Sequence, residues 1–361
     1  GQTGNAGIPY YESQATLGDA FPVIGDNLTT GVATGNLANE NIKWESTDQY
    51  DAGFEIGLFD DRLNLTADVY YKKTNDMLLR KPLPISTGFD YILTNAGNIE
   101  NKGLELALRT VNIDKGFKWE TELNFAMNRN KVLSLGEGVT EQLFTDQYTN
   151  GQATGIMKVG ESLGNWIGYQ TEGVFTLADF EADQTTLTAE AAANYGSPVK
   201  NKNNIVPGDL RYVNTNGDDV VDNNDKTIIA RTQPKHFGSL YNRFSYKGFE
   251  LGLFFTYKYG VDVVNGNKHR MYKEGNKSFN RYALQNDAWT IDNPNGTEPR
   301  PNYYRNTSDF NFSDKFVEDG SFIRLQSINI AYNFPSKVVK KLGVESLKIY
   351  SNMDNIHIWT N

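Results

Sequence analysis

Apolar and polar residues alternate at every second position through much of the chain. In Arg62 to Lys72 one face reads Leu63, Leu65, Ala67, Val69, Tyr71 and the other Arg62, Asn64, Thr66, Asp68, Tyr70, Lys72. Lys118 to Asn128 sets Trp119, Thr121, Leu123, Phe125 and Met127 against Lys118, Glu120, Glu122, Asn124 and Asn128. Phe249 to Lys258 sets Phe249, Leu251, Leu253, Phe255 and Tyr257 against Glu250, Gly252, Thr256 and Lys258. Gly103 to Thr110 and Ser327 to Phe334 repeat the pattern more briefly. Successive side chains of a strand point to opposite faces, so each segment predicts a strand with one apolar and one polar face, as in an antiparallel sheet wet on one side.

These segments run about ten residues, against a mode near 5–6 for soluble strands and about 9–11 for tilted membrane strands. Aromatics gather at their ends, as in Tyr70 with Tyr71, Phe117 with Trp119, and Tyr257 with Tyr259, which is how a girdle at a lipid interface looks. Short links at Phe59 to Arg62, Asp114 to Gly116 and Tyr246 to Phe249 predict tight hairpins. Long polar insertions, Thr176 to Asn204 and Val264 to Ser313, separate them. Tight turns at one end and long loops at the other is the asymmetry of outer-membrane barrels, whose long loops lie outside the cell. Long strands of a soluble sandwich with a purely structural aromatic core are the competing reading. Short helices are expected at Leu187 to Gly196 and Pro335 to Gly343. No linker is evident, so residues 1–361 read as one β architecture, with long extracellular loop regions at 176–235 and 260–320.

Composition narrows the function classes. The 361 residues carry a formal net charge of -9. Gripping phosphates of a nucleic acid needs a basic stripe along the chain, so a nucleic-acid partner is excluded. The absence of cysteine removes disulfides, thiolate metal sites and cysteine nucleophiles. Three histidines, His236, His269 and His357, lie too far apart in sequence to suggest a metal or triad site. There is no Walker motif, no G-x-S-x-G and no H-E-x-x-H, and with 44 acidic residues some carboxylate pair will always look suggestive. The reading is therefore not an enzyme. No run approaches the roughly 18 apolar residues of a membrane-spanning helix, which leaves barrel strands as the route across a bilayer.

Two constellations carry candidate chemistry. In Asn214 to Asp225, Asn214, Asn216, Asp218, Asp222 and Asp225 occupy positions 1, 3, 5, 9 and 12 of a calcium-type loop, with the Val220 carbonyl at position 7. Hard oxygen ligands at these spacings can wrap one Ca²⁺. Position 1 is Asn, position 6 is Asp219 in place of glycine, and position 12 is one methylene short of the bidentate Glu. An Asx-rich turn without metal is the alternative. The second constellation is aromatic: Tyr272, Tyr282, Trp289, Tyr303 and Tyr304, with Arg305, in the second long insertion. Their faces could stack on sugars or grip peptide side chains, or could pack the loops together.

Four blocks together resemble the C-terminal half of SusC/RagA-type TonB-linked outer-membrane transporters of the Bacteroidetes: Asn41 to Leu79, Asn95 to Leu108, Val206 to Ala230, and Phe322 to Thr360. The resemblance implies a segment of an antiparallel transmembrane β-barrel of roughly 22 strands with a plugged lumen. It implies an outer-membrane location, contact with lipid, TonB as the energy source, and a SusD-like surface lipoprotein as partner. It implies import of oligosaccharides or peptides with no bond made or broken. The family's plug domain and final strands are expected to lie outside these residues. The family often carries a fuller Asp-x-Asn-Gly-Asp-Gly-x-Ile-Asp version of the acidic loop at this place, which adds some support to Ca²⁺ as a possible cofactor. A secreted, calcium-stabilised β-sandwich that binds glycans is the alternative from another class.

Overall fold

The computed structural model describes residues 2–3, 14–20, 23–24, 27–28, 30–145, 153–198, 200, 202–274, 282–300 and 311–360. Nine strands form one antiparallel sheet. The two-residue strand Gln2–Thr3 sits at one edge beside β1 (Glu45–Leu58). Then follow β2 (Leu63–Pro82), β3 (Tyr91–Asp114), β4 (Phe117–Leu135), β5 (His236–Tyr246), β6 (Phe249–Tyr259), β7 (Phe322–Asn333) and β8 (Lys348–Thr360), each paired with its predecessor. Among the described residues the outer edge of β8 pairs with nothing, so this part of the sheet is open.

The register turns the sequence alternation into two continuous faces. One row runs Ile56, Leu65, Leu108, Leu123, Leu240, Phe255, Leu325 across β1 to β7. The neighbouring row runs Phe54, Ala67, Leu106, Phe125, Gly238, Tyr257, Ile323, Trp359 across all eight long strands. The opposite face reads Glu55, Thr66, Ala107, Asn124, Ser239, Thr256, Arg324. A one-residue slip anywhere would swap the faces, so the shared pattern fixes the register. Ten residue steps from Phe249 to Tyr259, at about 3.4 Å each and a tilt near 40°, give a band about 26 Å tall, the height of a lipid-facing belt.

The apolar face is exposed. Phe54 is 58% and Val69 51% accessible, and Ile323, Ile349 and Trp359 are similarly open. The buried core lies elsewhere, in the two insertions. Residues 136–235 join β4 to β5 and residues 260–321 join β6 to β7, both at the same end of the sheet. The first insertion is larger than the sequence suggested, starting at Gly136, because β4 is followed at once by a small sheet of Glu141–Thr145, Ala153–Lys158, Asn165–Gly168 and Thr227–Arg231. Tyr169, Leu210, Tyr212, Val221, Tyr272, Phe312 and Phe316 form one cluster, drawing on both insertions, and Phe175, Phe180, Leu187, Ala191 and Ile205 form another.

The opposite end is closed by tight turns. Lys247 and Gly248 have φ of 44° and 90°, the two left-handed residues of a two-residue hairpin whose twist matches its strands. A Cβ on Gly248 would lie 2.6 Å from the Asn333 carbonyl, so the turn needs glycine on both counts. Helices form at Ala189–Asn194 and Ser336–Val339, within the expected stretches. β2, β3 and β4 have 20, 24 and 19 residues, well beyond the ten expected. Their alternation breaks at bulges such as Thr74/Met77, and beyond them the strands rise into the loop layer, where Leu79, Val132 and Leu135 are buried together.

Candidate functional site

The inward wall and the loop layer above it are the parts able to meet a solute. On the wall, glycines and tyrosines alternate in space. Tyr70 lies across Gly103, where a Cβ would come within 2.5 Å of its ring, and its hydroxyl donates to Asn128 Oδ1 at 3.1 Å. Tyr241 covers Gly252 in the same manner. A glycine with no side chain of its own is thus shielded by a neighbouring aromatic. Lower down, Glu250 is a hub: Lys348 Nζ donates to Oε2 at 3.0 Å, Asn333 Nδ2 to Oε1 at 2.8 Å, and Arg243 stands 3.7 Å away. Arg109 lies 3.8 Å from Glu120 and 4.0 Å from Glu122. These mixed-sign rows can hold water and polar solutes.

The acidic loop is folded upon itself. Asp225 is fully buried. One of its carboxylate oxygens accepts from Thr215 N at 2.7 Å and Asn216 N at 3.4 Å, the other from Asp222 N at 2.8 Å. Asp218 accepts from Val220 N, Asn216 Oδ1 from Asp218 N, and Asp222 from Asn224 N. Asn214 turns its amide onto the Ala193 and Asp218 carbonyls. Among the described residues no three acidic or imidazole side chains converge as a cation cage. The donor types suit Ca²⁺, but the arrangement does not fit it, because the side-chain oxygens point at the loop's own N–H groups rather than at a common centre. The position-12 residue works as a brace, and glycine at 217, φ 75°, supplies the turn. Treating the longer protein with a chelator is therefore expected to leave protease cleavage within 206–231 unchanged; faster cleavage there would restore the calcium reading.

Beside this loop, burial and then Asp222 and Asp225 push the Tyr169 hydroxyl up to about 12. Burial lowers Lys226, whose Nζ stands 5.4 Å from the Tyr169 ring centroid.

The aromatics divide. Tyr272 is buried, its hydroxyl donating to Glu298 Oε2 at 2.5 Å and its ring packed on Phe316 at 5.8 Å. Lys315 completes the group, 2.8 Å from Glu298. Burial, then the bond to Glu298, raises the Tyr272 hydroxyl well above its ordinary range. Trp289 is also buried, against Gly208, where a Cβ would come within 2.6 Å of its ring. Tyr282 is half-buried on the first core cluster. In this conformation the faces of Tyr272 and Trp289 are covered by protein. Tyr303, Tyr304 and Arg305 lie outside the described residues.

Sequence reasoning passed over Asp209. Its carboxylate takes Lys200 Nζ at 2.8 Å, Val206 N at 3.1 Å and Arg300 Nε at 3.1 Å, while Arg300 N donates to the Gly208 carbonyl at 2.8 Å. Asp314 acts likewise, accepting from Thr171 N at 3.0 Å and Thr171 Oγ1 at 2.5 Å. Both tie one insertion to the other. The only sequence signal was Pro207-Gly208-Asp209, a turn followed by a short acid, and nothing in it names a partner some ninety positions away.

The histidines remain apart. His269 is buried between Phe312 and Phe316, His236 is stacked on Tyr259 in β5, and His357 stands in β8.

Comparison with known proteins agrees with this geometry. The family model for TonB dependent receptor-like, beta-barrel proteins matches residues 8–218. TonB-dependent receptor P3 of Formosa agariphila is 31% identical over 365 residues, covering 100% of this chain and 34% of that protein. TonB-dependent receptor SusC of Bacteroides thetaiotaomicron is 25% identical over 334 residues, covering 88% of this chain and 29% of that protein. The chain thus spans about a third of the length of the curated relatives it matches. Among solved structures, the RagAB peptide importer in its closed-closed state superposes with a TM-score of 0.73 over 100% of this chain and 36% of that one, at 22% identity. The family comprises transporters and receptors rather than enzymes. By strand register, exposed apolar belt and family match together, the chain belongs to the TonB-dependent receptor-like β-barrel family.

Proposed function

We propose that these residues form part of the barrel wall and outer loops of an outer-membrane transporter of the SusC type. It is driven by TonB and imports oligosaccharides or peptides beneath a SusD-like lipoprotein. The observation that carries this reading is the division of apolar surface. Eight strands present a register-matched apolar face to the outside, while the buried cores lie in the insertions at one end. A water-soluble sandwich would bury that face. A structural neighbour, the RagAB peptide importer, supports peptides among the candidate cargoes. The polar wall around Arg109, Arg243 and Glu250 supplies hydrogen bonds of both senses, which suits hydroxyl-rich or amide-rich solutes.

The chain lacks cysteine, so single cysteines report cleanly on each face. In the longer protein expressed in cells, Val69→Cys and Leu123→Cys are expected to react only with lipid-soluble maleimides. Asp68→Cys and Asn124→Cys are expected to react with water-soluble ones. Equal labelling of both faces by the water-soluble reagent, or a protein monodisperse without detergent, would replace the barrel with the secreted glycan-binding sandwich.

A further inference from the structure

From the tight turns up to Met127 in β4 and Tyr257 in β6, the outward positions carry no charged side chain. At the long-loop end this changes within two rows. Tyr50, Tyr71, Lys102 and Arg129 share one row, and Asp48, Lys73, Glu100 and Lys131 the next. Lys235, just before β5, places its Nζ 5.9 Å from the Tyr259 ring centroid, and its carbonyl accepts from Arg129 Nη1 at 2.7 Å. Glu100 is already engaged by Lys102 at 3.7 Å and by the Tyr71 hydroxyl at 3.4 Å, and Asp48 by Asn75 Nδ2 at 3.2 Å. Five cations and two carboxylates leave this rim with a net charge of +3, in a chain whose formal charge is -9. Lys102, Arg129, Lys131 and Lys235 are exposed. Directly below lie Val69, Leu104, Leu106 and Met127, a smooth apolar strip flanked by Tyr71.

We propose that the rim formed by Lys73, Lys102, Arg129, Lys131 and Lys235 binds the phosphate of an anionic lipid in the outer leaflet, with its acyl chains laid along the strip below. The proposal rests on the membrane-barrel reading above. Charge complementarity selects a phosphate, since a cationic cluster at the bilayer surface draws anionic headgroups. The adjoining apolar strip selects an amphiphile over a free ion. Tyrosines between the two mark the depth at which a headgroup sits.

The test uses the full-length transporter in lipid nanodiscs containing phosphatidylcholine with a minor fraction of phosphorylated glycolipid or phosphatidylglycerol. Retained lipid is counted by native mass spectrometry after mild detergent exchange. The double variant Lys102→Gln/Lys131→Gln is expected to lose anionic-lipid retention about fivefold per cation removed, about twenty-five-fold in all. The inward pair Lys258→Gln/Arg324→Gln, with the same change in charge, is expected to retain lipid as the parent does. Inorganic phosphate at tens of millimolar is expected not to displace it. Equal retention in both variants, equal loss in both, or displacement by inorganic phosphate would each overturn the proposal. A protein that fails to enter nanodiscs at all would instead count against the barrel reading.

Discussion

Replacing Leu123 with arginine is expected to cost the folded barrel about 2–4 kcal/mol, the penalty for a guanidinium at the middle of a lipid-facing strand. Leu123 sits near the middle of the apolar outward stretch of β4, Phe117 to Met127, between Leu108 and Leu240, and is 39% accessible. Its neighbour Asn124 points inward, where its amide donates to Ser239 Oγ at 3.2 Å. Asn124→Arg should therefore cost little, because water reaches that face. Equilibrium folding of the longer protein into phospholipid vesicles, followed by the shift in gel mobility between heated and unheated samples, measures both. Equal penalties at 123 and 124 would show that the two faces meet the same solvent and would remove the basis of the membrane assignment.

The second large effect concerns Asp209. Its side chain is 6% accessible and compensates Lys200 at 2.8 Å and Arg300 at 3.1 Å. Removing one member of such a group strands the others. Asp209→Ala is expected to destabilise the loop layer by about 2–3 kcal/mol, below the 3–5 kcal/mol seen for deeply buried pairs because Lys200 and Arg300 keep some contact with water. The loss should be local. Hydrogen exchange would quicken in 200–213 and 288–300 together, while amides in β5 and β6 keep their protection. Faster exchange in the first segment alone would mean that Asp209 does not join the insertions.

How much of this was written in the sequence follows from the range over which each interaction acts. Strand faces are local: Leu63, Leu65, Ala67 and Val69 declare their side through a period of two, and the structure keeps every one of them there. Tight turns are local too, as Lys247 and Gly248 show. Strand ends were misjudged because β2 to β4 continue past their bulges into a layer with a different solvent, where the alternation no longer reports a lipid face. The aromatics of the second insertion were ambiguous for a related reason. Tyr272 and Trp289 have the same composition signal whether a solute or Phe316 and Gly208 cover them, and only the long-range fold chooses. The acidic loop depends on the fold in a third manner. Oxygen spacing along the chain says which groups can converge on one point, but the Asp225 carboxylate is turned to Thr215, Asn216 and Asp222 instead.

The stitching of the two insertions bears on how the mouth of such a barrel could move. Tyr169 exchanges backbone bonds with Phe312 and Asp314 at 3.1 and 3.0 Å, and Arg231 N reaches Asp262 Oδ2 at 2.7 Å. Two loops leaving from four different strands therefore share one set of degrees of freedom. Opening one alone would break these bonds; opening both as a single body would still break the bonds that seat the first insertion on β4, Val132 with Gly160 and Glu161 and Asn130 with Leu163. Glycines with left-handed φ stand at two of the exits from the sheet, Gly136 at 102° and Gly260 at 68°. The two insertions are thus mechanically closer to one plate seated on β4 than to a fringe of separate strands.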